Sequence, residues 1–253
     1  MSVDYLDLLE RRRPAGDVRL ARFGVNGDFA YHLLQRLDAV VADPPEVITV
    51  LIGTNDARAS LAGYPVEQVM KRKRLPERPS AGWFQQCLGA VVARLRAETD
   101  ARIGLLSPPV LGQEPDGPAA RASLAYSRMI AEVAAAEEVA YLPLHERQTE
   151  ELRRADAPPI PYREATPAAG VGVLVQHAVL RRSFDAISRW RGLLLTTDHI
   201  HQNSRGAAPS PRSSTPVCWS GAGSRSRRPA SSPARPRRPG RAPRVKLRCA
   251  DGC

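Results

Sequence analysis

The sequence has 253 residues, of which 43% are hydrophobic and 25% charged, an ordinary composition for a globular protein with one large core. The net charge of +11 comes almost entirely from residues 207–253, which carry eleven Lys or Arg and one Asp. Residues 1–206 hold 26 basic and 25 acidic side chains, so only the C-terminal segment carries a charge-based argument for nucleic-acid binding.

The hydrophobic pattern of residues 1–206 predicts alternating helices and strands, which is typical of a parallel α/β sheet. The predicted helices are at 3–13 and 28–41, around Trp83–Leu95 and Tyr126–Val133, and near 180–187. The predicted strands are at 18–23, 47–52, 102–106 and 139–144, and a last apolar run follows at 193–195. The strand at 47–52 is apolar apart from Thr49, which favours a strand covered on both faces.

Residues 207–253 differ in composition from the rest of the chain. They contain eight Pro, eight Ser and ten Arg but almost no large apolar side chain. Such a segment buries too little surface to offset its conformational entropy, so we expect a folded domain at 1–206 and a disordered tail at 207–253. A GC-rich gene read out of frame would give the same composition, so the segment is either a genuine basic tail or a gene-model error.

Several classes of protein are not indicated. No apolar run reaches the length of a membrane span, and the first residues lack the pattern of a secretory signal, so we expect a cytoplasmic protein. The four cysteines, at 87, 218, 249 and 253, form no Cys-x-x-Cys pair. We therefore predict no disulfide framework and no metal site.

Three short stretches carry residues suited to catalysis: Gly24–Asp28, Gly53–Asp56 and Asp198–His201. They follow strand-like or apolar runs, and ligand sites in parallel α/β sheets form beyond the carboxyl ends of strands. The Gly27 N–H and the Asn55 amide are suitable donors for an oxyanion. An Asp and a His three residues apart can hydrogen-bond, which would orient His201 as a general base. The set corresponds to an acyl-transfer site without its nucleophile.

These stretches resemble the SGNH (GDSL-type) hydrolase family over roughly residues 1–206. Gly24–Asp28 is similar to the family's second sequence block, Gly53-Thr54-Asn55-Asp56 to its third, and Asp198 with His201 to its fifth. The resemblance implies a three-layer α/β/α, flavodoxin-like fold. It also implies hydrolysis of a small-molecule, lipid or carbohydrate ester through an acyl-enzyme, without a cofactor. In that family's scheme Gly27 and Asn55 would form the oxyanion hole, and Asp198 and His201 would complete the catalytic set.

The first family block, a strand followed by Gly-Asp-Ser, occurs nowhere in the sequence. We therefore expect the nucleophilic serine and its central strand to be missing, through a wrong start site or a gene fragment, and the chain as written to be inactive. Two alternatives remain. The chain could be a non-catalytic binding pseudoenzyme, or it could bind polyanions through its basic tail without specific nucleic-acid recognition.

Simpler interpretations accompany the catalytic ones. The stretch Gly53–Asp56 could be an ordinary turn, in which Asp56 accepts backbone N–H groups and has no catalytic role. His199 lies within the third stretch but at the wrong spacing for the base. The basic run Lys71–Arg74 is expected to be a solvated face.

Overall fold

The structure is a computed structural model that describes residues 7, 8, 10, 20–42, 44–164 and 181–208. Its strands are β1 (Val47–Leu51), β2 (Arg102–Leu106) and β3 (Ala140–Leu142). Its helices are α1 (Ala30–Gln35), α2 (Asp38–Val41), α3 (Thr54–Ala59), α4 (Val66–Lys73), α5 (Ala81–Glu98), α6 (Pro118–Ala136), α7 (Leu144–Arg154), α8 (Phe184–Trp190) and α9 (Ser204–Ala207).

The strands form one parallel sheet in the order β1-β2-β3. Val47 lies opposite Arg102, Leu51 opposite Leu106, and Gly104 of β2 also faces Ala140. Helices α3 to α5 connect β1 to β2, and α6 connects β2 to β3, as parallel strands require long crossover connections. The predicted mixed α/β fold with a parallel sheet is confirmed.

The main core lies on one face of the sheet. Ile48 and Val50 of β1 and Leu105 of β2 pack there with apolar residues of α1, α5 and α6. Val47 and Leu51 point to the other face and are buried as well. Because side chains alternate along a strand, β1 is covered on both faces, as its mainly apolar sequence predicts.

The two long helices owe their bounds to local sequence. The Ser80 hydroxyl accepts a hydrogen bond from Trp83 N at 3.2 Å and so caps the start of α5. Helix α6 begins with Pro118, whose missing N–H is not needed in a first turn. Both helices include the predicted segments, and they extend by several residues beyond them.

Other predictions differ from the structure. Leu20–Phe23 forms no strand. In a flavodoxin-like sheet, whose strand order is 2-1-3-4-5, the second strand pairs only with the first. No strand in the described ranges pairs with this segment. The helix predicted at 28–41 divides into α1 and α2, and α3, α4, α7 and α9 were not predicted. In the run 193–195, the Leu194 N–H donates to the Gln113 side chain at 2.6 Å instead of joining a strand ladder.

Some predictions lie wholly or partly outside the described residues. Of the predicted helix 3–13, Asp7, Leu8 and Glu10 are described, and all three are helical. The tail is described only to residue 208, so the prediction of disorder for 207–253 is not tested. None of the helices in the described part of the chain has the length and apolar character that a membrane crossing needs.

Candidate active site

Two of the three predicted stretches are connected to the carboxyl ends of neighbouring strands. Strand β1 ends at Leu51, and Gly53 then turns the chain into α3, so Asn55 lies in the first turn of that helix. The turn at 198–201 is held at the end of the neighbouring strand β2, since Gly112 N in the loop after β2 donates to His199 O at 2.9 Å. Adjacent parallel strands therefore place both stretches at one edge of the sheet.

Gly53 has a structural reason to be glycine. Its φ of +108° lies in the left-handed region, and a Cβ there would be 3.1 Å from the Phe84 ring. A side chain at this position would strain the backbone and displace a core aromatic residue. The sharp turn that points Asn55 into the edge of the sheet therefore depends on this residue type.

Asp198 and His201 are in direct contact within a buried turn. His201 Nδ1 lies 2.7 Å from Asp198 Oδ2, and His201 N donates to Asp198 Oδ1 at 2.8 Å. One carboxylate thus holds both the ring and the backbone of His201. With Nδ1–H donating to the carboxylate, the neutral imidazole keeps its acceptor lone pair on Nε2.

The electrostatics of this pair favour an ionised Asp198. Burial by itself would raise the pKa of Asp198, but the hydrogen bond and charge of His201 oppose it. Backbone N–H groups of His201 and Ile200 act in the same direction, and the pKa of Asp198 lies below its ordinary value. The carboxylate therefore keeps its charge at neutral pH, as a partner for an imidazolium would need to do.

The two predicted oxyanion donors are also brought together. Gly27 adopts φ +79° in a turn closed by Asp28 N donating to Val25 O at 3.2 Å. Asn55 Nδ2 donates to Asp28 O at 3.0 Å, so the loop of the first stretch is joined to α3 next to Gly27. The Asp28 carboxylate is buried and paired with Arg36.

Asp56 also links α3 to the start of α1. Its carboxylate accepts the Ala30 N–H at the start of α1, at 3.3 and 3.4 Å to its two oxygens. Burial raises the pKa of Asp56 to about 7, and the backbone hydrogen bonds only partly oppose that shift. In this contact Asp56 accepts a backbone N–H group, as the simpler interpretation predicted.

Sequence analysis missed an array of three side chains next to Asn55. Arg58 Nη1 donates to Asn55 Oδ1 at 2.8 Å, and Arg58 Nη2 is ion-paired with Glu164. Tyr162 OH donates to Glu164 Oε2 at 2.6 Å, and the Tyr162 ring meets His199 edge-on with centroids 6.1 Å apart. Helical spacing could have linked Arg58 to Asn55, but no sequence signal links either to Glu164, 106 residues away from Arg58.

The residues set aside by the sequence analysis have defined positions. His199 has φ +71°, and its buried Nδ1 has no hydrogen-bond partner among the described residues. Three of the four residues in Lys71–Arg74 are exposed, as expected of a solvated face. Lys73 is the exception, because its Nζ donates to Asn26 O at 3.0 Å beside the Gly27 turn.

The described residues contain no cluster of three His, Cys, Asp or Glu side chains arranged to bind a metal ion. Cys87 is buried on α5, and burial raises the pKa of its thiol to about 11.

Comparisons with known proteins bear on the fold and the family of this chain. Two forms of the enzyme Axe2 from Geobacillus stearothermophilus have similar folds, one described as an acetyl-xylooligosaccharide esterase and the other as a catalytic mutant of an acetylxylan esterase. Each is 18% identical, with a TM-score of 0.53 over 80% of this chain and 73% of the other. No curated protein sequence gives a significant match. A family model matches residues 2–208, and the chain belongs to the GDSL-like lipase/acylhydrolase family.

Proposed function

We propose that this protein is a serine-type ester hydrolase that works through an acyl-enzyme. His201 is the general base, Asp198 orients it, and Gly27 N–H with Asn55 Nδ2 stabilises the oxyanion. The observation that carries the proposal is the 2.7 Å contact between His201 Nδ1 and Asp198 Oδ2, in a turn at the carboxyl end of the sheet.

In the proposed reaction, a serine hydroxyl attacks the ester carbonyl while His201 Nε2 takes its proton. The carbonyl oxygen becomes an oxyanion, and the two donors stabilise it more strongly than the neutral carbonyl. The C–O bond of the ester then breaks, and imidazolium returns the proton to the leaving alcohol. Water, activated by His201 in the same way, hydrolyses the acyl-serine to give the carboxylic acid and free serine.

The family's nucleophilic serine lies in a Gly-Asp-Ser motif, and the 253 residues do not contain this motif. We propose that the serine follows a strand encoded upstream of residue 1, in a Gly-Asp-Ser motif. The chain as written would then show at most the residual rate that oriented donors give without a nucleophile, some orders of magnitude below the complete enzyme.

The proposed substrate is a carboxylic ester of a small molecule or carbohydrate. Acetylated sugars are the first to test, because the two similar structures belong to an enzyme described as acting on acetylated xylan and xylooligosaccharides. A short acyl group also needs little room beside the buried His201.

The test compares the 253-residue chain with a form extended upstream to the first in-frame Gly-Asp-Ser. Both are assayed with nitrophenyl acetate and with an acetylated xylooligosaccharide, and a phosphonate label reports a reactive serine. We expect turnover and labelling only in the extended form. Full turnover by the shorter chain without a labelled serine would contradict the proposal.

The base is tested with a matched pair of histidine variants in the extended form. His201→Ala should abolish turnover, whereas His199→Ala should retain most of it. The opposite result would show that the base has been assigned to the wrong residue. An extended form that binds acetylated sugars but never hydrolyses them would favour the non-catalytic binding alternative.

A further inference from the structure

Arg58 lies between the candidate oxyanion donor Asn55 and an acidic partner from a distant part of the chain. We propose that Arg58 is a positioning residue that fixes the orientation of the Asn55 amide, and that Glu164 holds Arg58 in place for this purpose. The inference rests on the proposed function, because it gives Arg58 a role in the oxyanion hole of that reaction.

An asparagine amide has two ends of similar size, and rotation by 180° exchanges its acceptor oxygen for its donor nitrogen. Only the nitrogen end can donate to an oxyanion. On one side of Asn55, the guanidinium of Arg58 offers donors only and therefore selects Oδ1, at 2.8 Å. On the other side, the carbonyl of Asp28 accepts only and selects Nδ2, at 3.0 Å. Both contacts favour the same orientation.

The position of Arg58 is itself restrained by charge and by packing. Its side chain is 15% exposed and that of Glu164 is 26% exposed, so the pair is largely shielded from water. The guanidinium carbon also lies 5.4 Å from the centroid of the Tyr64 ring. Burial would lower the pKa of Arg58, but the hydrogen bond and charge of Glu164 raise it above its ordinary value. The cation is therefore stable where it is needed.

The pair is an inefficient way to stabilise a fold. Arg58 Nε is buried without a hydrogen-bond partner in the described part of the chain, which adds to the cost of desolvating the cation. A well-packed apolar pair at these positions would avoid that cost. The polar arrangement does what an apolar pair cannot, because it presents a donor to Asn55 Oδ1.

The same array extends toward the general base. Tyr162 donates to the second oxygen of Glu164 at 2.6 Å and contacts the ring of His199 edge-on. A Cβ at Gly112, which holds the 198–201 turn, would lie 3.2 Å from Tyr162 Cβ. The segment carrying Tyr162 and Glu164 thus contacts both halves of the site. Arg58 is where it meets the oxyanion donor.

The direct test observes the Asn55 side chain in the 253-residue chain and needs no catalysis. The sequence has three asparagines, at 26, 55 and 203, so labelling with ¹⁵N-asparagine gives three side-chain NH₂ pairs, and Asn55→Ala identifies the pair of interest. In Arg58→Met we expect the chemical shifts of the Asn55 NH₂ group to move toward those of a solvated amide. We also expect its exchange with solvent to become about tenfold faster or more. The control variant is Arg78→Met, which removes an arginine from an exposed ion pair with Glu67. It should leave the NH₂ signals of Asn55 unchanged.

Because Arg58→Met leaves Glu164 without its ion-pair partner and could unfold the region, the double variant Arg58→Met/Glu164→Gln removes both charges. It should fold and still release the Asn55 amide. Unchanged Asn55 signals in both variants would overturn the inference, whatever the enzyme activity.

The kinetic test uses the extended form, which carries the proposed serine and is called the serine-bearing form below. One oxyanion donor is worth a factor of about 10² to 10³ in kcat, so Arg58→Met, acting through that donor, should lower kcat about 10- to 100-fold with KM nearly unchanged. Arg58→Lys should give an intermediate kcat, because an ammonium cannot hold two partners as a planar guanidinium does.

A double-mutant cycle separates positioning from general destabilisation. Once Asn55→Ala has removed the donor, adding Arg58→Met should lower kcat by less than about threefold. An equally large loss in both backgrounds would refute the positioning role. If the serine-bearing form hydrolyses no ester at all, the proposed function fails, and the Asn55 signals still decide the role of Arg58.

Discussion

The buried carboxyl of Asp56 makes stability depend on pH in a direction opposite to that of most paired acidic residues. Burial raises its pKa from 3.8 to about 7 in the folded protein. In the unfolded chain the group returns to its ordinary value. Between these two values the folded state binds more protons than the unfolded state, so the free energy of unfolding falls as pH rises from about 4 to 7.

The magnitude follows from the two pKa values. Each unit of difference corresponds to 1.36 kcal/mol, so the charged form of Asp56 costs about 4 kcal/mol of stability above pH 7. Of this cost, roughly 2 to 3 kcal/mol develops between pH 5 and pH 8. Asp56→Asn keeps an oxygen acceptor for Ala30 N and cannot ionise. The stability of this variant relative to the unmodified protein should therefore rise by roughly 2 to 3 kcal/mol between these pH values.

Urea unfolding followed by circular dichroism at pH 5 and pH 8 measures this difference. The matched control is Asp116→Asn, which removes an exposed carboxylate paired with Arg153 and should shift stability by less than about 0.5 kcal/mol at either pH. If Asp56→Asn differs from the unmodified protein by the same amount at both pH values, burial of Asp56 does not produce the pH dependence argued here.

Three further predictions concern the candidate site and the tail. In the serine-bearing form, Asp198→Asn should lower kcat about 10⁴-fold with little change in KM, because the amide would favour the wrong imidazole tautomer. Steady-state kinetics measure this loss, and a loss below about tenfold would contradict the prediction. Gly27→Ala should destabilise the fold by about 1–2 kcal/mol, since φ is +79° and the new Cβ would be 2.7 Å from Lys73 Nζ. Gly82→Ala, in α5 with open space around it, should instead be neutral or stabilising in the same urea experiment. If the tail is genuine, the full chain should bind duplex DNA without sequence preference and with an affinity that falls steeply with salt, whereas a chain ending at residue 206 should not; equal binding of both in a salt titration would exclude this role.

Local features of the site were determined by the sequence. Asp198 and His201 are three residues apart, and one tight turn brings their side chains into contact. The positions of Asn55 and the turn 198–201 at one edge of the sheet also follow from local patterns. Apolar strand-like runs precede them, and parallel strands present their carboxyl ends on one side. The roles of Gly27, Asn55, Asp198 and His201 in catalysis remain predictions.

Long-range features were decided only by the tertiary structure. The Arg58–Glu164 pair spans 106 residues, and a polar side chain in an irregular segment carries no pattern that selects one of many oppositely charged partners. The residue Lys73 looks like the other members of its basic run, yet its contact beside Gly27 arises because α4 packs there. Leu20–Phe23 has strand-like residues, but no strand in the described part of the chain lies beside it, and a strand is stabilised by a neighbour and not by its own sequence. Periodicity specifies what a segment can become, and the contacts available after folding decide which of those possibilities is realised.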